Sequence, residues 1–148
     1  MRVNTREMGE IEVAASQVLE FTNPMLGFPS CRRYVLLPVA EAPPFHWLQS
    51  IERPDLAFPV IPAGEVGVRY APGSGTKGRV GAVSDKDMTF WVTATFSTSE
   101  TPMRVNLHAP VAINRRRRLA AQVVCCDELP AASEAAASPA RELCLLHA

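Results

Sequence analysis

A chain of 148 residues, 47% hydrophobic, 20% charged and 7% aromatic, has the length of one compact domain and too much apolar content to stay unfolded. Fifteen basic residues balance fifteen acidic ones, so the molecule projects no strong overall field toward nucleic acid or acidic lipid. Its longest apolar stretches, such as Tyr34 to Ala40, fall far short of the ~20 residues that a membrane-spanning helix needs.

The first residues carry charges of both signs with no apolar core of signal-peptide length behind them, which predicts a cytoplasmic protein with reduced thiols. Thirteen prolines are spread along the chain. Each interior one removes a backbone donor, so little room remains for a long helix between residues 10 and 126. The segments between these breaks are rich in β-branched and aromatic residues. Strands are predicted at Ile11 to Val13, Val18 to Phe21, Arg32 to Pro38, Phe45 to Glu52, Ala57 to Ile61 and Val66 to Tyr70. Further strands are predicted at Met88 to Ser97, Met103 to Ile113 and Leu119 to Cys126. In Met88 to Ser97, Phe90, Val92, Ala94 and Phe96 alternate with Thr89, Trp91, Thr93 and Thr95, the period of a strand with one face on a core.

Residues 71–87 contain four glycines and scattered charges and read as a mobile loop. From Asp127 onward the chain is rich in Ala and Ser. Ser138-Pro139 is a possible helix start there, with Leu143, Cys144, Leu145 and Leu146 as an apolar patch. No βαβ alternation and no internal repeat is visible. The expected fold is all-β, a small antiparallel barrel-like domain over residues 1–126 with a Gly-rich loop near 71–87. A tail over 127–148 follows, partly disordered or a short helix.

Chemical motifs are sparse. Gly73-Ser-Gly-Thr-Lys-Gly78 superficially matches a phosphate loop, but Arg79 and Val80 stand where Lys and Ser or Thr are required, and no helix is expected to follow. Arg115 to Arg118 is the densest charge run. At a hairpin tip it could grip phosphates, although no aromatic residues interleave with it. His46, His108 and His147 have no Gly-x-Ser-x-Gly elbow to serve, so no catalytic residues and no enzyme activity are expected. The four cysteines, Cys31, Cys125, Cys126 and Cys144, form no repeated ligand spacing. A zinc site would require Cys31, Cys125, His46 or His108 to converge, so no metal and no cofactor are expected.

One resemblance adds to this reading. Phe21-Thr-Asn-Pro-Met-Leu-Gly-Phe28, Arg33-Tyr-Val-Leu-Leu-Pro38, Pro44-Phe-His-Trp-Leu-Gln-Ser-Ile-Glu52 and Pro54-Asp-Leu-Ala-Phe-Pro-Val-Ile61 follow one another in order. Arg104-Val-Asn-Leu-His-Ala-Pro-Val-Ala-Ile-Asn114 and Gln122-Val-Val124 come later. This succession of blocks closely resembles the FliW family of flagellar assembly factors, over about residues 9–62 and 88–126. The resemblance implies a non-catalytic barrel that binds the RNA-binding translational regulator CsrA and also binds flagellin. Flagellin would displace the regulator, and flagellin secretion would free the factor to restrain it again.

The candidate partner-binding residues are Phe45, Gln49, Ser50, Phe58, Asn106, Leu107 and Pro110. Phe45, Phe58 and Leu107 also read as core or sub-core positions. Gln49, Ser50 and Asn106 are polar groups among strand hydrophobes, which either brace the barrel internally or shape a docking edge. Gly27 is expected to supply a turn conformation, and Pro54-Asp55 a turn between strands. The family usually carries an acidic stretch between its two halves. Here residues 64–87 set Glu65, Asp85 and Asp87 against Arg69, Lys77, Arg79 and Lys86. A basic partner would instead meet a local cluster of Glu7, Glu10, Glu12 and Glu20, of which Glu10 and Glu12 are the chosen candidates.

Overall fold

A computed structural model describes residues 1–96, 99–100 and 102–124. The tail from 127, where a helix start at Ser138 is expected, and Cys125 and Cys126 lie outside these residues. The N-terminal hairpin pairs β1 (Arg2–Thr5) with β2 (Gly9–Glu12). There follow β3 (Val18–Asn23), β4 (Arg33–Pro38), β5 (His46–Ser50), β6 (Ala57–Pro62), β7 (Thr89–Thr95), the two-residue β8 (Arg104–Val105), β9 (Val111–Asn114) and β10 (Leu119–Gln122).

Strands β6-β5-β4-β3-β10-β9-β7 are hydrogen-bonded in that order, and β6 pairs with β7 to close the ring. Closure removes the exposed edges that an open sheet would present. Directions cannot alternate around a ring of odd number, so at least one neighbouring pair must be parallel. That pair is β3 with β10, and every other pairing is antiparallel.

Residues two apart on each strand face the same side. The inward set is one cluster drawn from all seven strands. Leu19 and Phe21 come from β3, Tyr34 and Leu36 from β4, Leu48 from β5, and Phe58 and Val60 from β6. Trp91 comes from β7, Val111 and Ile113 from β9, and Ala120 from β10. Phe21 lies opposite Ala120 at the parallel seam, a large side chain beside a small one. The Tyr34 hydroxyl is buried here with no hydrogen-bond partner among the described residues. Burial, and next the nearby Cys31, push its pKa above the ordinary tyrosine value.

Two outer faces of the barrel are also covered. The hairpin packs Val3, Ile11 and Val13 onto Val35, Leu37 and Trp47. Residues 63–88 wrap the other side, setting Val66, Val68, Tyr70, Val80 and Met88 against Ile61, Val92, Ala94, Ala112 and Ala121. The alternation in β7 is therefore real but serves two cores. Phe90, Val92 and Ala94 face the wrapping segment, whereas Trp91 points into the barrel.

Several expectations are corrected. Val66 to Tyr70 is not a strand. A 3-10 turn over Ala63–Val66 ends at Gly67, whose φ of 74° breaks extension. The buried Val66, Val68 and Tyr70 nevertheless keep the period-two pattern that suggested one. Residues 71–87 are no structureless loop. They hold a short helix, α1 (Ser74–Arg79), and a 3-10 turn at Asp85–Asp87 capped by Ser84. Thr76 and Val80 are buried. The Thr22 hydroxyl donates to the Arg79 carbonyl at 2.9 Å, and Asn114 Nδ2 donates to the Val80 carbonyl at 2.9 Å. Tertiary contacts thus override the poor helix propensity of Gly75 and Gly78. Met103 to Ile113 is two strands, because Asn106 turns the chain and Pro110 supplies no donor.

Candidate functional site

The two ends of the barrel differ. At one end the loop after β3 folds across the opening and turns at Gly27, whose φ is 89° as the sequence predicts. Met25, Phe28 and Cys31 pack beneath it against the interior cluster. Phe28 meets Phe58 edge-on at 5.5 Å, and the Arg53 guanidinium lies 5.6 Å from the Phe28 ring centre. Gln122 fastens this loop. Its Oε1 accepts from the Leu26 amide at 2.6 Å and its Nε2 donates to the Ala109 carbonyl at 3.1 Å. Gln122 is absent from the sequence-derived candidates, although a glutamine in an apolar strand is the same signal that singled out Gln49.

Gln49 and Ser50 sit at this end and are buried. Gln49 Nε2 lies within hydrogen-bonding distance of the carbonyls of Ser50, Pro54 and Leu56 at 2.9, 3.1 and 3.1 Å. Its Oε1 accepts from the Arg6 amide at 3.3 Å. One side chain therefore ties the β5–β6 turn to the N-terminal hairpin. Ser50 Oγ accepts from the Arg53 amide at 3.0 Å inside the same turn, and Pro54 and Asp55 lie in it as predicted. The neighbouring Arg53 guanidinium holds the exposed Asp55 carboxyl below its ordinary range.

The other candidates lie elsewhere. Phe45 is buried under the wrapping segment, its ring 5.0 Å from that of Phe96. Asn106 is exposed, and its Oδ1 accepts from the His108 amide at 3.0 Å. Leu107 is half-buried, with its carbonyl accepting the Tyr70 hydroxyl at 2.6 Å, and Pro110 is buried. Glu10 and Glu12 are exposed on the hairpin. Glu10 lies 3.3 Å from the Arg2 guanidinium, and Glu12 lies 3.2 Å from the terminal amine. The nine candidates thus form no single patch.

Among the described residues no loop covers the far end of the barrel. A mouth of about 270 Å³ is lined there by Gln17, Leu19, Leu36, Pro38, His46, Arg115 and Arg118. Arg115 and Arg118 come from the tight β9–β10 turn, which Asn114 braces by accepting from the Arg117 amide at 3.3 Å. Arg116 and Arg117 face a different depression, shared with Gly81, Val83 and Asp87, and Arg116 lies 3.7 Å from Asp87. The four guanidinium groups do not make one stripe.

Cys31 lies at the closed end and His46 at the open one, so these two are not brought together, and Cys125 lies outside the described residues. Among the described residues no three His, Cys, Asp or Glu side chains cluster as a metal site would require, and none of their helices is long and apolar enough to cross a membrane.

Residues 2–134 match the family model for the FliW protein. The chain belongs to the FliW family of flagellar assembly factors. It is 36% identical over 126 residues to the flagellar assembly factor FliW of Geobacter sulfurreducens, covering 84% of this chain and 79% of that one. It is 37% identical over 131 residues to the FliW of Bdellovibrio bacteriovorus, covering 86% and 74%. The fold matches a crystal structure of the flagellar assembly factor FliW with a TM-score of 0.78 and 26% identity, over 86% of this chain and 90% of that one. The blocks that carry the FliW resemblance coincide with structural joints of the barrel. Leu48-Gln49-Ser50 and Leu56-Ala57-Phe58-Pro59 are the two sides of the turn that Gln49 clamps, and Asn106 to Pro110 is the turn leading into β9.

Proposed function

We propose that this FliW-family member is a non-catalytic adaptor that binds a CsrA-type RNA-binding translational regulator and, at other times, flagellin. Exchange between the two couples flagellin synthesis to export. Membership of the family over residues 2–134 carries the reading. Two structural features agree with it. The barrel interior is filled mainly with apolar side chains, and the N-terminal hairpin offers exposed carboxylates at Glu7, Glu10 and Glu12.

Those carboxylates are not a bare acidic face. Arg6 lies 3.4 Å from Glu7, Arg2 pairs with Glu10, and the terminal amine pairs with Glu12. A basic partner would exchange exposed ion pairs for its own, which favours steering and orientation over raw affinity. Converting both Glu10 and Glu12 to lysine is expected to slow association with the regulator and to weaken binding roughly tenfold, with a reduced salt dependence. Thermal stability should change little, since both side chains are exposed. Stopped-flow titration at two salt concentrations checks this, and unchanged rates would remove the hairpin from the interface.

A further inference from the structure

We propose that the open mouth of the barrel is a binding site for a peptide carboxylate. In it, an acidic side chain is gripped by Arg115 and Arg118, and a neighbouring aliphatic side chain rests on Leu19, Leu36 and Pro38. This site stands apart from the partner-switch reading, and its test uses neither partner.

The mouth is the continuation of the barrel's own interior. Gln17, Leu19, Leu36, Pro38 and His46 occupy the inward positions of β3, β4 and β5 or of their approaches. Barrel mouths are common places for ligands because a rigid wall surrounds them. Neither Arg115 nor Arg118 has a carboxylate partner among the described residues, whereas Arg116 of the same turn meets Asp87.

Arg115 is held in place before any ligand arrives. The Arg115 guanidinium lies 5.9 Å from the Trp91 ring centre, a stacked position that planar guanidinium favours. Arg118 takes a left-handed backbone with φ 58°, and no other non-glycine residue does so among the described residues. His46 packs edge-on to Trp91 at 4.9 Å, and its Nδ1 sits 3.0 Å from the Pro44 carbonyl. The bond to a carbonyl makes Nδ1 the donor and fixes the ring orientation in the wall of the mouth. Arg115 and His46, fixed in this way, lose little freedom on binding.

The chemistry selects a carboxylate on a peptide over a nucleic-acid strand. Two forked guanidinium groups match a planar carboxylate. Binding a strand needs a longer run of unpaired cations and exposed aromatic faces for the bases. Here Trp91 is only 3% exposed, Leu19, Leu36 and Pro38 give the wall an aliphatic part, and Arg116 and Arg117 look into another depression. A volume of about 270 Å³ admits one or two side chains.

The test titrates the full chain with the capped peptide acetyl-Leu-Glu-Leu-amide and with its Gln analogue, following backbone amide signals by NMR. The Glu peptide is expected to shift Gln17, His46, Arg115 and Arg118, and to bind roughly tenfold more tightly than the Gln peptide. The double change Arg115→Gln and Arg118→Asn is expected to abolish that preference. Asn tolerates the left-handed backbone, and an otherwise unchanged spectrum shows that the fold survives. Equal binding of the two peptides by the unaltered chain, shifts mapping to another face, or no binding up to the solubility limit would each overturn the proposal. So would tighter binding of a short oligouridylate at the same residues, which would make the mouth a nucleic-acid surface.

Discussion

Phe21→Ala is expected to lower the stability of the barrel by about 4 kcal/mol and its melting midpoint by roughly 10 °C or more. Phe21 is fully buried, its ring centre 4.8 Å from that of Tyr34. Across the parallel seam it faces Ala120, which is also fully buried and too small to fill the space left behind. The strands are tied in a closed ring, so the cavity cannot collapse by shifting one element alone. Tyr34→Phe, one ring away, is expected to act in the opposite sense. It keeps the packing and removes a buried hydroxyl with no partner among the described residues, so it should be neutral or stabilising by up to about 1 kcal/mol. Chemical denaturation of both variants checks the pair. A Phe21→Ala protein as stable as the parent would contradict the placement of Phe21 in the barrel interior.

Gln49→Leu is expected to cost about 3 kcal/mol, despite exchanging a polar residue for an apolar one of similar size at a site only 1% exposed. The Leu56 carbonyl retains the Ser50 amide at 3.0 Å. The Pro54 carbonyl and the Arg6 amide each lose the bond that Gln49 supplies. The substitution therefore leaves polar backbone groups poorly satisfied where the tip of the hairpin meets the β5–β6 turn. It should also speed exchange of the Arg6 amide more than that of amides in β3 or β10. Uniform protection, with the midpoint unchanged, would show that the turn and hairpin do not depend on this side chain.

The all-β class was legible because prolines exclude long helices and β-branched residues fill the gaps between them. The strands of the β3-to-β6 stretch were legible for the same reason, to within a residue or two at most ends. The parallel β3–β10 seam was not, since strand neighbours distant in sequence leave no local signature. The segment 71–87 misled because its glycines and charges dominate its composition, whereas Val80 and Thr76, which anchor it, contribute two residues among seventeen. The β1 strand escaped because Arg2–Thr5 holds one apolar residue, Val3, and its order comes from pairing with β2.

Part of the site was legible in the same uneven way. Gln49 and Ser50 stood out as polar groups in apolar strands, and both are buried and hydrogen-bonded there, whereas Asn106, which stood out in the same way, is exposed in a turn. The separation of Arg115 and Arg118 from Arg116 and Arg117 depends on how one turn folds over a barrel end, which four identical letters in a row do not reveal.

The most direct test of partner exchange is a titration of flagellin into a preformed complex of this protein with the CsrA-type regulator, at near-physiological salt, followed by size-exclusion chromatography with light scattering. Release of free regulator in proportion to the flagellin bound, through two separate binary complexes, is the predicted result. A stable ternary complex at every flagellin concentration, or failure of the protein to bind either partner, would contradict it.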